Sequence, residues 1–373
     1  MRRGNRGAAL REWLTALPAD LERRVVEQRA DDYEKFFVEF EALCVDYFAA
    51  SLRELGWNES GAPANGDELA ERLRIASQHR RLFHRALQIL AESGGLCEAH
   101  GGWRLEALPV AQDLDAKVQA LLARHPEGRA EGEMVRRCGG SLARALRGEC
   151  DPLELLFPRG SIENAEHLYR DSPLAVVFNE SIADAVERLA AASSSLRVLE
   201  IGAGTGGTAS HVLARVGGRI DYTFTDVSAL FTGRARGRFA HYQGVSYREL
   251  DIESDPLRQG IPLGQFDVVL ASNVLHATAD LRATLERVRG LLAPGGVLIA
   301  LEVFAPHHWF DLTVGLTSGW WKFGDRALRP NYPAIARDAW VRLLRDSGFC
   351  DASAIPGAMS GDGALARQGI VVA

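Results

Sequence analysis

The chain has 373 residues, 47% hydrophobic and 25% charged, an ordinarily globular composition, and its formal net charge of -6 argues against a nucleic-acid binder dominated by phosphate contacts while leaving room for a local basic patch. Its five cysteines (Cys44, Cys97, Cys138, Cys150 and Cys350) are scattered without a C-x-x-C pair, which predicts reduced thiols rather than a disulfide framework or a zinc site. No apolar run reaches the length of a signal peptide or a membrane span, so a soluble, cytoplasmic protein is expected.

In chain order, residues 8 to 150 read as mostly helical. Phe36, Phe37, Phe40, Leu43, Cys44, Tyr47 and Phe48 recur at helical spacing, as do Leu82, Phe83, Leu87 and Leu90. Between them, residues 58 to 68 are a loop by composition, and residues 92 to 109 accommodate a short hairpin around Trp103. A break follows at 149 to 161. Ser172 and Pro173 then open a helix as N-cap and first position, with Leu174, Val177, Phe178, Ile182, Val186 and Leu189 on one face.

From residue 196 onward strand and helix alternate, which predicts an α/β fold with a doubly wound, seven-stranded, mostly parallel sheet. The predicted strands are 196–201, 221–226, 246–250, 266–272 and 296–302, followed by short ones near 350–355 and 369–373. Helices are expected around Phe231, Ala235 and Phe239, around Leu281, Leu285, Val288 and Leu291, and over 338–347 up to Gly348. The expected division is a mainly helical domain over 1–160 and a Rossmann-like core over 161–373, with an insertion at 303–337 of the kind that carries substrate contacts.

The most informative stretch is LRVLEIGAGTGG, residues 196 to 207, a buried strand running into a glycine-rich turn ahead of a helix. Gly202, Gly204 and Gly207 fit G-x-G-x-x-G, the dinucleotide fingerprint, while Glu200 with Gly202, Gly204 and Gly206 fits E-x-G-x-G-x-G. The second pattern resembles the S-adenosylmethionine site of class I methyltransferases. A carboxylate at the strand end repels a pyrophosphate and suits an ammonium or a sulfonium, which favours that reading for Glu200. A glycine turn that merely packs strand on helix is the bland alternative.

Ligands of open α/β sheets lie beyond the carboxyl ends of the strands, which nominates the strand-end residues. Asp226 suits the ribose hydroxyls of an adenosine, against the alternative of capping the next helix. Asp251 and Ile252 suit an adenine, acid to the amino group and aliphatic side chain to the ring face, though an ordinary strand-end acid fits Asp251 nearly as well. Asn273 is placed near the methionine part of the ligand. His276, three residues on, is a residue type able to take a proton near neutral pH, and Glu302 ends the neighbouring strand where a carboxylate can orient an imidazole.

LEIGAGTGGT, YTFTDVS, ASNVLHATADLRATL, LLAPGG and GLTSGWW, with DPLELLFPRGS and LYRDSP upstream, resemble the methyltransferase domains of modular polyketide synthases, above all the carbon-methylating ones, over about residues 35 to 373. The resemblance implies S-adenosylmethionine as cofactor and an N-terminal helical lid. It also implies methylation of the α-carbon of a β-ketoacyl thioester on an acyl carrier protein, with His276 as general base, Glu302 as its partner and no metal. Partners would be the acyl carrier protein and other polyketide synthase domains, with no nucleic acid or membrane. The same pattern in related domains leaves open O-methylation of a β-hydroxyl. A catalytically inactive scaffold domain is the rival from another class, and a nicotinamide oxidoreductase a more distant one.

Trp320, Trp321 and Phe323 fit either an acyl-chain tunnel or a core. His307 and His308 are expected to face solvent. The runs His79-Arg80-Arg81 and Arg234/Arg236/Arg238 fit an acidic carrier protein or plain solvated helix faces.

Overall fold

Leu96–Ala99 (β1) and Gly102–Leu105 (β2) pair antiparallel in the hairpin expected around Trp103. The structure is a computed structural model that describes residues 2–57, 63–108, 113–357 and 363–373. Residues 58–62 of the expected loop and residue 109 of the expected hairpin stretch lie outside the described residues. The rest of that loop is shorter than expected, because the Asn65 side chain accepts the Asp67 amide at 2.8 Å and caps a helix, Gly66–Arg72.

The remaining strands are β3 (Arg197–Ile201), β4 (Asp221–Asp226), β5 (Val245–Glu249), β6 (Phe266–Ser272), β7 (Leu292–Val303), β8 (Ser353–Pro356) and β9 (Gln368–Val372). They form a seven-stranded sheet in the order β5-β4-β3-β6-β7-β9-β8. The first five run parallel, and β9 pairs antiparallel with both β7 and β8. This is the expected doubly wound sheet. The strand order reverses between β3 and β6, so a crevice opens beyond their carboxyl ends.

Alternation along the strands loads both faces. Val198, Tyr222, Phe224, Val268, Leu270, Ile299 and Ile370 pack on one side with the helices Pro173–Ala191 and Gly207–Val216. Leu199, Ile201, Val269, Ala271, Leu298 and Val371 pack on the other with Leu281–Leu291 and Arg337–Asp346. The N-terminal helix, Arg2–Glu27, buries Trp13, Leu17 and Leu21, spaced four apart, in the first of these layers. Ser172 caps its helix as expected, accepting the Ala175 amide at 3.3 Å ahead of Pro173.

The chain divides into two compact units. One comprises Met1–Asp31, Ala165–Ala305 and Lys322–Ala373, the other Asp32–Asn164 and Pro306–Trp321. The cut therefore differs from the expected one at residue 160. The first helix belongs with the sheet because its apolar stripe is buried there. Half of the 303–337 insertion belongs with the helices, where Glu41 accepts the amides of His308 (2.8 Å) and Trp309 (3.2 Å), and Arg85 pairs with the fully buried Asp311 at 3.2 Å.

Within the helical unit Phe36 stacks on Phe40 with centroids 4.7 Å apart, and Trp309 lies 6.3 Å from Phe40. Tyr33 donates to Glu131, whose carboxyl burial pushes up to about 7. None of the five cysteines is in a disulfide. Among the described residues no helix is long and apolar enough to cross a membrane.

Candidate active site

The turn after β3 is built by three glycines in the left-handed region, Gly202 (φ 58°), Gly204 (φ 53°) and Gly206 (φ 78°). A Cβ on Gly202 would stand 2.6 Å from Val274 Cγ2, so the turn closes onto the segment after β6. A Cβ on Gly204 would meet nothing nearer than the Gly202 carbonyl oxygen at 3.8 Å, an ordinary contact. The helix Gly207–Val216 starts here behind Gly206, with no side-chain cap on its first amides. The LYRDSP segment backs it: the ideal Cβ of Gly207 would lie 2.4 Å from the Tyr169 carbonyl. A buried polar chain completes the floor. Asn179 donates to Tyr169 O at 2.9 Å, and Thr208 Oγ1 contacts Asn179 Oδ1 and Ser272 Oγ, each at 2.8 Å.

Asp226 ends β4 and spans the turn and the next helix at once. Its Oδ2 accepts the Gly204 amide at 2.9 Å and its Oδ1 the Ser228 amide at 2.8 Å. These two bonds tie the end of β4 to the glycine turn and to the start of the next helix, and a carboxylate retains further lone pairs beyond them. Burial raises its pKa, and these two amide bonds oppose the shift.

Glu200 was expected at the strand end beside the ligand, and the structure corrects this. Its side chain turns into the core, is 1% exposed, and accepts the Tyr222 hydroxyl at 2.6 Å. Burial lifts its carboxyl to about 8, so it is largely protonated at neutral pH and supplies no full negative charge there. The cause is register: Glu200 pairs with Phe224 on β4 and shares a sheet face with Tyr222.

Asp251 forms a local turn, accepting the Glu253 amide at 2.9 Å and the Ser254 hydroxyl at 2.8 Å. Ile252 is buried among the core side chains under the sheet. Asn273 follows β6 with φ 56°, a conformation asparagine tolerates. Its amide donates to Leu301 O at 2.7 Å and its Oδ1 accepts from Gln368 at 3.2 Å.

His276 lies in the tight turn Leu275–Ala277 and is buried with Glu302, which stands on β7 next to β6. His276 Nδ1 and Glu302 Oε2 are 2.6 Å apart, and the other carboxylate oxygen accepts the Leu275 amide at 2.9 Å. The two residues nominated from separate strand ends are therefore brought together.

Sequence reasoning missed Arg329, a buried side chain that donates to the His276 carbonyl at 2.7 Å. An arginine between two loops carries no periodic signal. His307 and His308 do not face solvent as expected: His307 is buried by Phe37 and Phe310, and His308 lies beside Glu41. Trp320, Trp321 and Phe323 are all buried, with Trp321 Nε1 donating to Gly315 O at 2.7 Å. The basic runs are largely engaged. His79 is buried, Arg80 sits 3.6 Å from Glu71, Arg236 lies over the Tyr247 ring, and Arg238 donates to Thr205 O at 2.9 Å.

A methyltransferase-domain family model matches residues 199–298. Polyketide synthase ThaG of Burkholderia thailandensis is 39% identical over 306 residues, covering 78% of this chain and 5% of its own length. Non-reducing polyketide synthase pks11 of Talaromyces marneffei is 34% identical over 319 residues, covering 82% of this chain and 12% of its own. The chain thus spans a small part of these curated relatives. The crystal structure of the CurJ carbon methyltransferase superposes with a TM-score of 0.91 at 38% identity over 97% of each chain.

Proposed function

The chain belongs to the carbon methyltransferase domains of polyketide synthases, and from that premise we propose that it methylates the α-carbon of a β-ketoacyl thioester carried by an acyl carrier protein, with His276 as general base. The observation that carries this reading is the 2.6 Å contact between His276 Nδ1 and Glu302 Oε2 at the carboxyl edge of the sheet. A carboxylate on Nδ1 fixes the tautomer that donates from Nδ1 and puts the basic lone pair on Nε2.

The left-handed glycine turn, the start of the following helix, and the carboxylates of Asp226 and Asp251 suit an adenosine bearing a cationic side chain. S-adenosylmethionine held by Gly202, Gly204, Gly206, Asp226, Asp251, Ile252 and Asn273 supplies an activated methyl group on a sulfonium.

The chain's own chemistry is the proton. The α-carbon of a β-ketoacyl thioester lies between two carbonyls, so its C–H bond breaks with the electron pair delocalised onto oxygen while the proton goes to Nε2. Glu302 stabilises the imidazolium that results. Leu275 is fully buried and Val274 is partly buried against the same core, which anchors the turn that carries His276.

The test incubates acetoacetyl and β-hydroxybutyryl carrier proteins with the full chain and S-adenosylmethionine, followed by mass spectrometry. One added methyl on the β-keto chain and none on the β-hydroxy chain is expected. The reverse pattern would replace carbon by oxygen as the acceptor.

A further inference from the structure

The Arg329 guanidinium meets the segment that carries His276. Its side chain is 0% exposed, and its donors fan over three carbonyls of the 276–279 segment: Nη1 to His276 O at 2.7 Å, and Nη2 to Thr278 O at 2.8 Å and Ala279 O at 3.2 Å. Nε donates to Asp325 Oδ1 at 2.6 Å, and the guanidinium lies 5.4 Å from the centre of the Phe323 ring. The other Asp325 oxygen accepts the Leu281 amide at 3.1 Å, at the start of the helix Leu281–Leu291.

A buried charge is costly to desolvate, and this one is offset by a carboxylate, an aromatic face and three carbonyls. Such a group needs a geometric reason to be kept. We infer that Arg329 is a positioning residue for the proton transfer: it clamps the 276–279 backbone so that the His276 ring, held at Nδ1 by Glu302, points Nε2 in one direction. Held at its carbonyl by Arg329 and at its ring by Glu302, His276 has little freedom left to swing. Only a planar fork reaches these carbonyls together; the single ammonium of a lysine cannot span them.

This inference rests on His276 being the base, and the test separates the two. Arg329→Met and Arg329→Lys are compared with the unaltered chain by melting temperature, calorimetric titration with S-adenosylmethionine, steady-state methylation of acetoacetyl-pantetheine, and the low-field proton resonance of the His276–Glu302 hydrogen bond. His276→Ala identifies that resonance by its loss.

Both Arg329 variants are expected to bind S-adenosylmethionine normally, to broaden or lose the resonance, and to lower kcat by about 10–100-fold with KM little changed. Arg329→Lys should recover only a minor part of kcat. An unchanged resonance, or an unchanged kcat in folded Arg329→Met, overturns the inference. Should Arg329→Met fail to fold, Asp325→Asn, which loosens the Nε anchor, takes its place with the same expectations, and normal kcat in it and in Arg329→Lys overturns the inference. If His276→Ala retains turnover, the general-base reading falls, and the resonance in the Arg329 variants still reports whether the clamp orients the ring.

Discussion

Glu302 holds His276 from a neighbouring strand, 26 residues away in sequence, with Nδ1 and Oε2 2.6 Å apart, and it secures the preceding amide of Leu275 with its second oxygen at 2.9 Å. One carboxylate thus fixes both a ring and the turn that presents it. The arrangement puts a tautomer-defining contact in a buried place, where a hydrogen bond is strong and a lost partner is costly.

Replacing His276 by alanine is expected to lower turnover by about 10²–10⁴-fold while leaving affinity for S-adenosylmethionine within about a factor of two. Single-turnover methylation and calorimetric titration measure the two effects separately. Turnover close to normal would show that another group takes the proton.

Glu302→Gln keeps the shape and loses the charge. A glutamine can accept one of its two present donors only by turning its NH2 toward the other, which favours the wrong imidazole tautomer or strands the Leu275 amide. The expected loss in kcat approaches that of His276→Ala, and an unsatisfied buried donor costs about 1–3 kcal/mol of stability. Chemical denaturation with activity assays at one pH resolves the pair of effects.

Gly202→Ala places a methyl 2.6 Å from Val274 Cγ2 at a φ of 58°. Both the strained backbone and the clash act on the turn, so a stability loss of about 1–3 kcal/mol and a marked fall in S-adenosylmethionine affinity are expected. Titration calorimetry showing wild-type affinity would mean the ligand lies elsewhere.

Stability should fall as the pH rises through the range between the ordinary carboxyl value of 4.5 and the value of about 8 that burial gives Glu200. Below that range Glu200 is protonated in both folded and unfolded states, and its contribution is constant. Within it the folded state holds a proton that the unfolded state has released, so each rise in pH favours unfolding, and above about 8 the cost is fully present. Glu200→Gln keeps an acceptor for the Tyr222 hydroxyl and removes the titration. Urea midpoints measured against pH should therefore decline less steeply in Glu200→Gln than in the unaltered chain. Parallel curves would mean that Glu200 is ionised in the fold.

What the sequence determined is local and periodic. The strands around Val198, Phe224, Val269 and Ile299, the glycine turn and the Ser172 cap were legible because alternation, left-handed glycines and capping chemistry act over a few residues. The pairing of His276 with Glu302 was legible one step further, since parallel neighbours bring their ends to one edge.

Only the tertiary structure decided which way Glu200 points, where the first helix packs, that His307 is buried, and that Arg329 reaches a carbonyl 53 residues away. Each depends on strand register or on a contact between distant segments. Free energy there comes from burying and pairing groups that the chain brings together only once it has folded.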